Sequence, residues 1–152
     1  MKPVPILFTQ EGYTTAKKEY DDLQTVRVEA VANLKKYREM GDLSENSAYR
    51  AAKWKLSSID GRIRRLEQVL KRAKIVEKRS SDKVEIGSKV TVESKYGVQE
   101  FTIVGSYESD ISKGNLSYLS PLGKGLMHKK IGDEISISLP QEIAIYKIIK
   151  VL

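Results

Sequence analysis

Two carboxylates three residues apart, Asp42 and Glu45 in the stretch GDLSEN (residues 41–46), are the side chains best suited to chemistry. Carboxylate oxygens suit Mg²⁺, but that ion takes six oxygens in octahedral geometry, so two side chains make only part of a site. A partner would have to supply the other ligands. The same spacing also serves structure. Gly41 suits the position just past a helix C-terminus, Asp42 suits the N-cap of a following helix, and Glu45 completes a capping box. Both acids also favour the positive end of a helix dipole. Around the pair lie Lys35, Lys36 and Arg38 on one side and Arg50, Lys53 and Lys55 on the other. An acidic point on a basic collar suits insertion into a site where phosphates surround a cation. The implied chemistry is a donated half-site, not a self-contained enzyme. With no cysteine and a single histidine, His128, the chain can form neither a thiolate metal site nor a histidine-pair base. His128 reads as structural.

The elements that must position these acids are legible on both sides. Tyr13, Ala16, Tyr20, Leu23, Arg27, Ala30, Leu34 and Tyr37 alternate in spacings of 3 and 4, a heptad seam. Thr9 is a suitable N-cap for that helix. Tyr49, Ala52, Leu56, Ile59, Ile63, Leu66, Leu70 and Ala73 repeat the pattern. The two sets mirror each other about Leu43, so an antiparallel fold-back aligns them layer by layer, with large residues facing small ones. The misfit is Arg27 opposite Ile59, where Asp60 can take the guanidinium. Each arm of about 30 residues would reach roughly 45 Å at 1.5 Å per residue. Tyr37 and Tyr49, beside the turn, read as seam residues. Trp54 falls on an outward position, where a tryptophan is either partly covered by neighbouring lysine stems or marks a contact.

Residues 76–83, VEKRSSDK, lose the heptad and read as a linker. Beyond them the period changes to two. KVTVES (89–94), EFTIVGS (100–106), LSYLS (116–120), ISISL (135–139) and AIYKIIKVL (144–152) are predicted strands of an antiparallel sheet. Ser120-Pro121 predicts a short helix and Gly132-Asp133 a turn. The fold class is therefore α+β: an N-terminal antiparallel coiled-coil hairpin over residues 1–78 and a β-rich domain over 79–152.

The formal charge of +7 lies wholly in the first half, since residues 1–80 hold 18 Lys+Arg against 11 Asp+Glu and the remainder hold 9 of each. The asymmetry reads either as a charged module that takes an acidic or polyanionic partner or as a solvated helical surface that leans basic. A basic coiled coil that binds DNA or RNA directly is one class of answer. The N-terminal MKPVPILFTQEGY has no signal-peptide core, and no apolar run nears the roughly 20 residues of a membrane span. The expectation is a soluble cytoplasmic protein that binds no membrane, with a folded-back stalk favouring a monomer.

GDLSEN followed by SAYRAAK resembles the signature of the Gre family of bacterial transcript cleavage factors. The similarity continues through GSKVTV (87–92), SPLGKGLMHKKIGDEISI (120–137) and IYKIIKV (145–151), in the family's order and covering nearly the whole chain. The resemblance implies a C-terminal FKBP-like domain that docks on RNA polymerase at the mouth of its secondary channel. It implies a coiled coil that enters the channel and carries its tip to the catalytic centre. There Asp42 and Glu45 would help hold the second, weakly bound Mg²⁺ and orient the attacking water, so that the polymerase cleaves its own backtracked RNA near the nascent 3′ end. The factor would not itself be an enzyme and would hold no cofactor stably alone. Ser44, Asn46 and Tyr49 would contact the partner at the tip.

Two departures from the family pattern stand out. Ser47-Ala48 replaces the usual Ala-Glu, removing one acid from the tip, and Gly123-Lys124-Gly125 occupies a run that is usually less rich in glycine, where it bears on the short helix and the docking surface. Proteins of the same shape can also enter the channel as inhibitors; an intact GDLSEN argues for cleavage instead. A prolyl-isomerase activity of the second domain has thin support, since its aromatics include no tryptophan.

Overall fold

The computed structural model describes residues 1–41, 46–79 and 82–152. It is an α+β protein of two compact units, one formed by Met1–Tyr13 with Ala73–Leu152 and the other by Thr14–Arg72.

The helical unit is built from most of α1 (Gln10–Arg38) and all of α2 (Ser47–Lys71). All eight seam residues of the first set, and all those of the second, are buried or half-buried. Ala30, Ile59 and Ile63 form the centre, with Tyr20, Leu23 and Leu56 packed on it. The cross-links run in opposite directions along the two helices. Glu19 meets Arg62, Arg27 meets Asp60, and Tyr37 meets Asn46, which makes the pair antiparallel. Arg27 solves its misfit as the sequence suggests: its Nε donates to Asp60 Oδ1 at 2.6 Å, at the half-buried edge of the seam. The final seam residue, Ala73, lies outside the helix. α2 ends at Lys71, and Ala73 opens a strand.

That strand, β2 (Ala73–Ile75), pairs in parallel with β1 (Ile6–Phe8), an element absent from the sequence expectations. Three residues are too few for a readable alternation. Phe8 is fully buried against Tyr13 and Tyr107. Thr9 caps α1 as expected, accepting from the Gly12 N–H at 3.0 Å. Glu108 then grips the cap: its carboxylate accepts from the Thr9 N–H at 2.9 Å, from the Thr9 hydroxyl, and from the Gly105 N–H at 3.0 Å. Only glycine fits at 105, where a Cβ would stand 1.8 Å from the Leu7 carbonyl oxygen. These links gather the first 13 residues with the C-terminal part, so the compact units divide the chain differently from a single cut after residue 78.

The five-stranded sheet has the order β5-β4-β3-β7-β6, from β3 (Lys89–Ser94), β4 (Gly97–Val104), β5 (Asn115–Ser117), β6 (Glu134–Ser138) and β7 (Ile143–Val151). It is mixed, not antiparallel throughout. β4 and β5 run parallel because two 3₁₀ turns, Ser106–Glu108 and Ile111–Lys113, carry the chain back between them. β4 also starts earlier than its apolar pattern does, since its first four residues are exposed. Alternating residues Val90, Val92, Phe101, Ile103 and Ile135 point to one core with Leu126 of α3 (Pro121–Leu126). α3 forms despite its glycines. Ser120 Oγ accepts from the Gly123 N–H at 3.0 Å, and a Cβ at 123 would lie 2.0 Å from the Ser117 carbonyl oxygen. Close packing therefore requires the first glycine of Gly-Lys-Gly. Asp110 caps the second 3₁₀ turn. The Ser112 hydroxyl is the main cause holding its carboxyl below the usual range, with slight desolvation opposing and Lys113 assisting.

Candidate functional site

The ends of α1 and α2 flank the GDLSEN turn, and their local chemistry is specific. Past Arg38 the Glu39 N–H still donates to the Lys35 carbonyl at 3.2 Å, and the Met40 N–H then turns to the Tyr37 carbonyl at 3.3 Å. The ladder thus tightens by one residue and stops, as helices commonly do at their C-termini. Gly41 follows at φ +123°, a backbone conformation that L side chains rarely adopt. Nothing lies within 4 Å of a Cβ built there, so conformation and not space calls for glycine.

α2 begins at Ser47, and its N-cap is Asn46. Asn46 Oδ1 accepts from the Tyr49 N–H at 3.0 Å, while its Nδ2 donates to the Tyr37 carbonyl at 3.1 Å. One side-chain amide therefore serves a free N–H at the start of α2 and gives a second hydrogen bond to the Tyr37 carbonyl, which also accepts from Met40 at the end of α1. This corrects the sequence expectation that Asp42 is the N-cap and Glu45 the third residue of a capping box. The helix starts later, and its third residue is Tyr49. The physical reason is the double task. An aspartate carboxylate has no donor for the Tyr37 carbonyl, whereas an amide has both functions. The signal was available, because asparagine ranks with aspartate as an N-cap. Asp42, Leu43, Ser44 and Glu45 themselves lie outside the described residues, as do the roles expected of Asp42, Ser44 and Glu45.

Tyr37 and Tyr49 are half-buried at their seam positions. Ala48, Ala51 and Ala52 leave an open groove of about 260 Å³ beside Tyr37 and Lys55. The collar is as expected from the sequence. Lys35, Lys36, Arg38, Arg50, Lys53 and Lys55 are all exposed, and among the described residues none forms an ion pair. Arg27 and Arg62, further along the hairpin, are paired with Asp60 and Glu19. Among the described residues the collar thus leaves six cations without an ion-pair partner beside the stretch that carries the acids, as Arg64 and Arg65 are left farther along α2.

Residues 6–75 match the model of the transcription elongation factor N-terminal domain, and residues 79–152 match that of the GreA/GreB C-terminal domain. The transcription elongation factor GreA of Thermoanaerobacter pseudethanolicus is 41% identical over 152 residues, covering 97% of each chain. That of Neorickettsia sennetsu is 37% identical over 156 residues, covering 99% of this chain and 97% of its own. Among solved structures, GreA factor homolog 1 of Thermus thermophilus is 26% identical with a TM-score of 0.47, covering 97% of this chain and 99% of that one. The chain belongs to the GreA/GreB family of transcription elongation factors.

Proposed function

We propose that this chain binds RNA polymerase in elongation complexes and stimulates the polymerase's own cleavage of backtracked RNA. Residues 79–152 dock at the mouth of the secondary channel, and the helical hairpin of α1 and α2 enters it. Asp42 and Glu45 then reach the nascent RNA 3′ end at the catalytic centre. The chain acts in the cytoplasm as a monomer and performs no catalysis alone.

The observation that carries this reading is the Asn46 tie. The N-cap of α2 is filled by Asn46, so the helix needs neither tip acid as its cap. The same amide holds the two helix ends together, which fixes the points from which the acids are carried. The exposed, unpaired collar behind the turn favours a phosphate-rich destination.

The donor set fits magnesium in kind, since carboxylate oxygens are its preferred protein ligands. It does not fit in number: among the described residues, no three His, Cys, Asp or Glu side chains group together, and Asp42 and Glu45 add two. The chain therefore contributes to a shared ion whose other ligands come from the polymerase. When bound, such an ion activates water and neutralises charge on the cleaved phosphodiester. Asp42 serves as ligand, and Glu45 as ligand or as the group that orients water. Ser44, Asn46 and Tyr49 meet the channel wall.

Transcript cleavage on a stalled, backtracked elongation complex tests the proposal. Wild type should release 3′ RNA fragments, while Asp42→Asn and Glu45→Gln should bind equally well and release few or none. Equal cleavage by all three proteins would overturn the role of the acids. Binding without cleavage by wild type would make the protein a channel inhibitor.

A further inference from the structure

Trp54 is the single tryptophan of the chain, and it is 80% exposed. It lies on the outward side of α2, in an open groove of about 420 Å³ that it lines with Ser57, Ser58, Gly61 and Arg65. Arg50 stands one turn before it on the same side, since positions four apart share a helix face. Among the described residues neither Arg50 nor Arg65 forms an ion pair, and no acid occurs between Arg50 and Ser58 in the sequence. The next acid, Asp60, is turned to Arg27.

Gly61 adds a separate observation. It sits in the interior of a 25-residue helix, where glycine is less stable than alanine. A Cβ there would meet nothing within 4 Å. The packing of this molecule gives no reason for the glycine, but the approach of another backbone to the groove would.

We propose that this face of α2 is a docking surface for an acidic polypeptide segment of the polymerase, with an apolar side chain against Trp54 and carboxylates on Arg50 and Arg65. The charge complementarity selects an acidic occupant. Gly61 beside Trp54 favours a polypeptide, whose backbone can approach the glycine while a side chain packs on the indole. Arg50 and Arg65 lie fifteen positions apart, roughly 22 Å by rise, with Trp54, Ser57, Ser58 and Gly61 between them and Lys53 and Arg64 at the edges of the face. A peptide with an apolar middle and acidic flanks matches the order on α2. This rests on the proposed binding to polymerase and adds the face by which the hairpin is gripped.

The test uses the full chain and RNA polymerase core enzyme. Trp54→Ala, Arg65→Glu and Gly61→Leu should each weaken binding about tenfold or more. Gly61→Leu should keep a thermal midpoint at or above wild type, and Gly61→Ala should raise it by about 3 °C. Lost affinity in these variants is then not lost folding. A photoreactive p-benzoylphenylalanine in place of Trp54 should cross-link to a polymerase polypeptide whose mapped segment is rich in Asp and Glu. Wild-type affinity in all three variants, or cross-linking to RNA or DNA, would overturn the proposal. Asp42→Asn separates the two readings, because it should bind normally and fail to cleave. Failure of wild type to bind polymerase would remove both.

Discussion

At the residue scale, Asn46 links the sequence to the proposed chemistry. Its carbonyl oxygen caps α2 and its amide nitrogen holds the Tyr37 carbonyl. Asn46→Ala should lose both and cost about 1 kcal/mol of stability, read by urea unfolding. Asn46→Asp keeps an acceptor for the Tyr49 N–H but has no donor for Tyr37. It should therefore be nearly as stable as wild type, yet cleave backtracked RNA more slowly at unchanged polymerase affinity. Equal cleavage by Asn46→Asp and wild type would show that the tie to α1 does not position the tip. Gly123 is a second such residue. Gly123→Ala should destabilise the protein by about 1–3 kcal/mol, because the new Cβ would collide with the Ser117 carbonyl oxygen. Asn46 was legible as a residue near the tip but not in its role, since a two-sided hydrogen bond depends on the distance between chain segments. The Arg27 partner was legible, because its misfit in an apolar seam demanded a nearby carboxylate.

At the element scale, the heptad carried the most information. Seam positions from Ala16 to Tyr37 and from Tyr49 to Leu70 are shielded, because the 3–4 spacing gathers them on one face of each helix. Ile63 lies in the central layer with Ala30 and Ile59. Ile63→Ala should cost about 2–4 kcal/mol and show first as lost helical signal on heating. A loss below 1 kcal/mol would mean the hairpin does not rely on that layer. The limits of legibility are equally physical. β1 and β2 are too short to show a period, and their pairing joins positions nearly seventy residues apart. The parallel pairing of β4 with β5 depends on the 3₁₀ return between them, which periodicity does not encode. The start of β4 was hidden because its first four residues face solvent and lack the apolar alternation.

At the scale of the whole molecule, charge and function divide along the sequence. The excess of +7 resides in residues 1–80, and among the described residues the collar cations have no ion-pair partner. Added salt should therefore slow association with polymerase while leaving the chemical step on preformed complexes largely unchanged. No described helix is long and apolar enough to cross a membrane. Family membership fixes the general role, elongation of transcription, while the acids at the turn carry the specific claim that the chain lends ligands to a shared metal ion. The most direct measurement is the rate of single-turnover cleavage on a backtracked complex as Mg²⁺ is varied, with wild type and Asp42→Asn both saturating. If Asp42 is a ligand, wild type reaches half its maximal rate at a much lower Mg²⁺ concentration than Asp42→Asn, and excess Mg²⁺ restores part of the variant's activity. An identical Mg²⁺ dependence for the two proteins would contradict the account.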